Sequence, residues 1–378
     1  MNFETLCLHS DNNKKDEWGT LTTSICQSAT FVHKSFDDNG EYSYSRLKNP
    51  TRAHLENLVK LLEKGEACVA FSSGMAAITS VSKLFKKGDH IIASNDLYGG
   101  ALRLFRNFSV VDGIEFDYID TSNTDEILNK IRENTKAIYI ETPSNPLMQV
   151  SDIRKIVQIA KSNKILVIVD NTFLTPYFQR PLELGADIVI HSGTKYLGGH
   201  NDALAGFVVT KSRELGEKVE YISKTIGANL SPFDSFLIER GIKTLSIRMD
   251  RINENAYKIA TYLEKVDKVK KLYYVGLKKH KGYEINKSQS TGFGGMISIE
   301  LESVELAIKV LNNVKIFQYA ESLGGVESLI TYPCKQTHSD IPLEERNERG
   351  INDRLLRLSI GIENVDDLIN DLNEAIYG

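Results

Sequence analysis

Through the middle of the chain, short apolar runs alternate with stretches whose apolar residues recur at helical spacing. The runs cover 67–71, 90–93, 114–119, 136–140, 165–169, 187–190 and 204–210. Most are rich in Val, Ile or aromatic residues and too short for a helix, so they predict buried strands. Between them, helices are predicted from Gly74 to Phe85, from about Ala101, over 124–133 and over 151–162. An earlier helical stripe, Leu55, Leu58, Val59 and Leu62, ends at Gly65. Strands alternating with helices in this way predict an α/β domain with a mostly parallel sheet and crossover helices.

The pattern changes on either side. Residues 1–55 are polar, with only brief apolar pieces such as Ile25 and Phe31-Val32, and read as an extended arm. A long helical region over about 214–264 links to a second unit. The stretch 265–281 is lysine-rich with Tyr273 and Tyr274 interleaved, and reads as a solvated face. From Gly292 strand and helix patterns alternate again, as in a smaller α+β domain. The expected division is an arm (1–55), a large domain (56–235) and a C-terminal domain that includes the linker helix (236–378). A chain of 378 residues has ample length for this.

Composition narrows the function classes. A net charge of −4 with 25% charged residues gives no basic surface for nucleic acid or a membrane. No apolar run approaches the roughly 18 residues of a membrane span. The start shows no basic-then-apolar leader pattern. Cys7, Cys26, Cys68 and Cys334 are scattered, with neither zinc-ligand nor disulfide-framework spacing, so no metal is expected and a reducing compartment, the cytoplasm, is.

In parallel sheets ligands gather at the carboxyl ends of the strands. There the sequence places Ser72-Ser73-Gly74-Met75 after the first run and Tyr98 shortly after the second. Glu141 to Asn145 follow the fourth, Asp170 the fifth, and Ser192-Gly193-Thr194-Lys195 the sixth. Each has an ordinary structural explanation: a helix start, a half-buried turn aromatic, a turn former before Pro, a helix cap, a surface lysine. Together they supply an amine, phosphate donors, an aromatic face and a carboxylate, the parts that bind pyridoxal 5′-phosphate (PLP). Lys195 is the candidate Schiff-base lysine and, once released, the general base. Asp170 would pair with the ring nitrogen, and Tyr98 would stack on the ring. Ser192, Thr194 and the Gly74 and Met75 amides would hold the phosphate. Arg357, amid alternating apolar residues, either pairs internally or takes a substrate α-carboxylate.

The stretch VDNTFLTPYFQRPLELGADIVIHSGTKYLGGHNDALAG resembles the cofactor-lysine region of the trans-sulfuration enzymes, the Cys/Met-metabolism family of PLP enzymes. YSRLKNPTR, FSSGMAA, DLYGGALRLF, ETPSNP, AESLGGVESLI and RLSIGIE are similar to that family's motifs, in its order. The resemblance implies PLP fold type I (aspartate-aminotransferase-like), with a mostly parallel seven-stranded sheet sandwiched by helices and a smaller C-terminal domain. It also implies a homotetramer, a dimer of dimers, in which Tyr44 and Arg46 reach the cofactor phosphate of the neighbouring subunit. Asn145 would lie near the cofactor and the substrate carboxylate, Ser322 would position the lysine, and Tyr98 would also act as an acid–base near the leaving group.

Within the family, Glu321 before the S-L-G-G turn points to γ-chemistry. Leu47 stands where several relatives have an Arg for a distal carboxylate, which leaves Arg103 for that role. Gly100 replaces the Cys that marks methionine γ-lyases. The implied substrates are small amino acids, and the expected reaction is γ-replacement on an O-acyl-homoserine by cysteine or another thiol, the cystathionine γ-synthase reaction. The alternatives are a cystathionine β- or γ-lyase and, from a different class, a non-catalytic PLP-binding regulator.

Overall fold

The computed structural model describes residues 1–9 and 19–378. Residues 10–18, part of the expected arm and of the start read for a leader, lie outside the described residues. The large sheet has seven strands: β1 (Ala67–Phe71), β2 (His90–Ser94), β3 (Glu115–Ile119), β4 (Thr135–Glu141), β5 (Leu166–Asp170), β6 (Ile188–Ser192) and β7 (Gly206–Thr210). Their order is β1-β7-β6-β5-β4-β2-β3. β7 runs antiparallel to both β1 and β6, while the pairs β6–β5, β5–β4, β4–β2 and β2–β3 are parallel. The central strands β4, β5 and β6 are apolar and buried almost throughout, as a sheet covered on both faces requires. Each expected strand is present, its ends shifted by two residues at most.

A second sheet of five strands follows: β8 (Val269–Tyr273), β9 (Met296–Leu301), β10 (Gln318–Tyr319), β11 (Leu329–Thr331) and β12 (Leu355–Ser359), in the order β10-β11-β12-β9-β8. The helix Leu245–Leu263 joins the two layers of core. Its first half sends Leu245, Met249 and Ile252 into the core that includes Leu55, Phe207 and Val189. Its second half sends Ala256, Ile259 and Leu263 into the core formed by Ile297, Leu356 and Leu372.

Three readings of the sequence need correction. The helical region 214–264 is three helices, Arg213–Ile226, Pro232–Ile242 and Leu245–Leu263. The first stops where Gly227 adopts φ +75°, and the second begins with Pro232 at its first position. The lysine-rich stretch is not simply a solvated face. It contains the edge strand β8, paired with β9, and next to it a buried Tyr274 whose hydroxyl donates to the Gly294 carbonyl at 3.2 Å. The edge lysines guard the open side of the sheet. Finally, the first residues are not arm. The helix Phe3–Leu8 buries Phe3 and Cys7 in the main core, with Phe3 tilted against Tyr177 at 5.2 Å between ring centroids. A six-residue helix is too short to announce itself by periodicity. Residues 21–47 are the extended part, and there Leu21, Val32 and Phe36 are almost wholly exposed.

Candidate active site

The carboxyl ends of β4, β5 and β6 form the floor. Parallel register sets Glu141 beside Asp170 and Asp170 beside Ile190, so Glu141, Asp170 and Ser192, the last residues of three neighbouring strands, share one edge. The turn after Asp170 ties them together. Asp170 Oδ1 accepts from the Thr172 amide at 3.0 Å and from its hydroxyl at 2.6 Å, and the Ser192 amide donates to Thr172 Oγ1 at 2.9 Å. Burial raises the pKa of Asp170, against the pull of these bonds and of nearby His191. A carboxylate kept there in a dry pocket is suited to a cationic partner.

The helix Gly74–Ser82 points its N-terminus at the same edge. Ser73 caps it, accepting from the Ala76 amide at 3.1 Å, which leaves the first-turn amides of Gly74 and Met75 outside the helical ladder. The fit against the sheet is close. A Cβ on Gly74 would lie 3.0 Å from Ser192 Cβ and Oγ, and one on Gly206 would lie 2.1 Å from the Ser73 carbonyl oxygen. Only glycine permits this approach, and it produces an anion cradle of helix amides facing the Ser192 side chain. Tyr98 is brought to the rim by the start of the helix Gly99–Val111: its amide donates to Glu141 Oε2 at 2.9 Å. A Cβ on Gly100 would strike both the Tyr98 ring (2.6 Å) and Met75 Sδ (3.1 Å), so ring and cradle are adjacent.

Lys195 stands in the turn after β6. Its Nζ donates to Ser322 Oγ at 2.9 Å. Burial, and secondarily the charge of Arg357, bring its pKa down to about 8, with Glu321 acting in the opposite direction. Arg357, on β12, is fully enclosed. It donates through Nη1 to Asn145 Oδ1 at 2.8 Å, and through Nη2 to the Ser322 carbonyl at 3.1 Å and to Thr331 Oγ1 at 3.3 Å. Its Nε is buried without a hydrogen-bond partner among the described residues. Burial lowers its pKa to about 10, which leaves it charged at neutral pH. A buried guanidinium with an unused N–H is arranged to receive a carboxylate. Glu321 is exposed at the mouth and forms no hydrogen bond or ion pair among the described residues.

Lys195, Ser322, Arg357 and Asn145 are thus one bonded cluster, and Asp170, Ser192, Gly74, Met75 and Tyr98 form the adjoining floor and rim. Four expected residues lie outside the bonded cluster of their own chain. The Thr194 hydroxyl faces Ala205, accepting from its amide at 3.0 Å and donating to its carbonyl at 3.3 Å, which secures the lysine turn. Arg103 projects outward from its helix and ion-pairs with Asp340, away from the bonded cluster. Tyr44 and Arg46 are exposed, the guanidinium lying 5.5 Å from the Tyr44 ring centroid and donating to the Lys224 carbonyl, and neither is bonded to the cluster within its own chain.

Two further buried residues beside the site carry no such signal in the sequence. Glu141 is buried, its pKa held well above the usual carboxylate range by burial and by neighbouring Asp170. His338 is buried with Nδ1 2.8 Å from Thr337 Oγ1, and burial lowers it to about 4, so it is neutral. Glu141 was visible only as the end of a strand run, and His338 lies in a loop without a periodic signal.

The donor set fits PLP: a buried amine of lowered pKa, a dry carboxylate, and a cradle that a single Cβ would fill. An α/β enzyme built around that cofactor is therefore the class that fold and site define. A family model described as "Cys/Met metabolism PLP-dependent enzyme" matches residues 4–377, and the chain belongs to this family. Among similar proteins, the cystathionine gamma-lyase of Bacillus subtilis (strain 168) is 50% identical over 376 residues, covering 100% of this chain and 99% of that protein. The cystathionine beta-lyase of Lactococcus lactis subsp. cremoris (strain MG1363) is 48% identical over 374 residues, covering 99% and 98%. The crystal structure of cystathionine gamma-lyase from Lactobacillus plantarum complexed with L-serine superimposes with a TM-score of 0.97 at 44% identity, covering 99% of this chain and 98% of that one. The chain is a PLP-dependent trans-sulfuration enzyme of fold type I.

Proposed function

We propose that this enzyme is a cystathionine lyase that cleaves the Cγ–S bond, converting cystathionine and water to cysteine, 2-oxobutyrate and ammonia. The reading moves away from the γ-synthase reaction expected from sequence for two reasons. Lyase names predominate among the similar proteins, although a relative named cystathionine gamma-synthase/O-acetylhomoserine (thiol)-lyase is 48% identical. In addition, the unpaired Glu321 at the mouth suits the ammonium at the far end of cystathionine better than the acyl chain of an acyl-homoserine. The observation that carries the proposal is the Lys195 amine, buried, tethered to Ser322 and brought down to about 8.

PLP, when bound, supplies an electron sink for the carbanion left at Cα. The residues of the chain do the rest. The free N–H of Arg357 receives the substrate α-carboxylate, and Asn145 keeps the guanidinium oriented. Lys195 takes the Cα proton, hands it on within the site, and with its amine unprotonated again takes a Cβ proton, which γ-elimination requires before sulfur departs. Tyr98, at the rim, stands where a leaving thiolate needs a proton. Glu141 fixes the Tyr98 backbone.

Incubation with cystathionine alone tests this. Rapid 2-oxobutyrate with cysteine is expected. Pyruvate with homocysteine would assign β-elimination, the activity named for the Lactococcus relative, and silence until an acyl-homoserine is added would restore the synthase.

The site is also proposed to be shared between two copies of the chain. The arm over 21–47 exposes Leu21, Val32 and Phe36, which bury nothing in their own chain, and presents Tyr44 and Arg46 outward. A second copy covers that apolar surface and receives the two side chains at its cofactor phosphate, in a dimer that pairs again to a tetramer. The four free cysteines suit a reducing compartment, the cytoplasm. Among the described residues no helix is long and apolar enough to cross a membrane.

A further inference from the structure

Behind the floor lies a buried polar cluster that the chemistry above does not use. Glu63, the last residue of the helix Pro50–Glu63, is completely enclosed. Its Oε1 lies 2.6 Å from His191 Nε2 and accepts from Asn171 Nδ2 at 3.1 Å. Asn171 also donates to the Gln179 carbonyl at 2.7 Å, and Gln179 Nε2 donates back to Asn171 Oδ1 at 3.0 Å and to the Thr142 carbonyl at 3.3 Å. One carboxylate thereby reaches the residues that follow β4 and β5 and the penultimate residue of β6.

His191 and Asn171 are sequence neighbours of Ser192 and Asp170. Side chains alternate along a strand, so His191 enters the layer behind the sheet edge while Ser192 faces the cradle. Three atoms of the cluster, Glu63 Oε2, His191 Nδ1 and Gln179 Oε1, are buried without a hydrogen-bond partner among the described residues. A partly satisfied buried network is less stable than apolar side chains of the same volume, so stability alone does not account for it. We infer that Glu63 is a positioning residue for the cofactor site, holding His191 and Asn171 so that Ser192 and Asp170 stay aligned on adjacent strands. His191 also acts on Asp170 electrostatically, pulling its pKa down against the rise that burial causes. The inference rests on the reading that Asp170 and Ser192 face PLP.

Equilibrium dialysis of PLP from the holoenzyme, with the visible band of the bound cofactor and the melting temperature of the apoenzyme recorded alongside, tests it. Groups that orient ligands from behind typically cost about tenfold or more in affinity when removed from metal sites, and a similar loss is expected here for Glu63→Ala, with a displaced band. Glu63→Gln, which still offers an oxygen to Asn171, is expected to restore most of that loss. A folded Glu63→Ala protein with wild-type cofactor affinity and an unmoved band would overturn the inference, whatever its melting temperature. If Glu63→Ala does not fold, Asn171→Ala carries the same prediction and the same refutation. Asp170→Ala serves as the reference: if it too keeps wild-type affinity, the cofactor reading itself fails. If Asp170→Ala loses PLP while the Glu63 and Asn171 variants do not, only the positioning role is lost.

Discussion

Lys195 Nζ donates to Ser322 Oγ across 2.9 Å, joining the turn after β6 to the loop before β11. The bond fixes the amine where it must both hold the cofactor and move protons. Removing a hydrogen bond to a charged group costs about 1.5–3 kcal/mol. Ser322→Ala is therefore expected to lower kcat by roughly tenfold or more while KM for cystathionine changes little. A steady-state assay on the two proteins checks this.

The amine of Lys195 is a base only when unprotonated, and its pKa is about 8. Activity is expected to rise with pH and level off above that value. The negative charge of Glu321 raises it, so Glu321→Gln should move the rising limb to lower pH. Stability of the apoenzyme follows the same linkage. The folded pKa lies below the ordinary value of 10.5, so the unfolded chain binds more protons between about 8 and 10.5. Stability contributed by this group therefore increases with pH across that window, and below it the full penalty of a buried charge applies. Melting curves of apo wild type and Lys195→Met should converge as pH climbs through the window.

Arg357 has two nitrogens, Nη1 and Nη2, engaged by Asn145, Ser322 and Thr331, and its Nε left over among the described residues. Arg357→Lys keeps a charge but not the planar fork, and is expected to raise KM by roughly a hundredfold, as the loss of one or two charge-assisted bonds implies. Asn145→Ala should show a smaller rise of the same kind. Substrate-saturation curves with cystathionine read both.

Arg46 lies far from Lys195 in the chain and touches no part of the cluster within one subunit. If a second copy brings it to the cofactor phosphate, Arg46→Ala loses PLP on dialysis much faster than wild type while its melting temperature in saturating PLP is unchanged. Normal retention would refute the shared site.

Much of this was legible in the sequence because the strands are short, apolar and buried, and their carboxyl ends carry the polar residues. Lys195, Asp170, Ser192 and the Gly74 turn all follow such runs. What escaped depends on relations that no single segment records. Glu141 pairs with Asp170 only through the register of β4 against β5. Arg103 follows Tyr98 and is available in the sequence for a distal carboxylate, but five residues of helix turn a side chain through roughly 140° net, onto the other face. Thr194 sits beside the lysine, yet the hairpin into β7 sets Ala205 against its hydroxyl. Phe3–Leu8 reads as polar arm until the core it enters is known.

Reduction of the holoenzyme with borohydride, followed by peptide mapping, tests the central claim most directly. A pyridoxyl group on Lys195, close to one per chain, is the predicted result. A group on any other lysine, or none, would contradict the account.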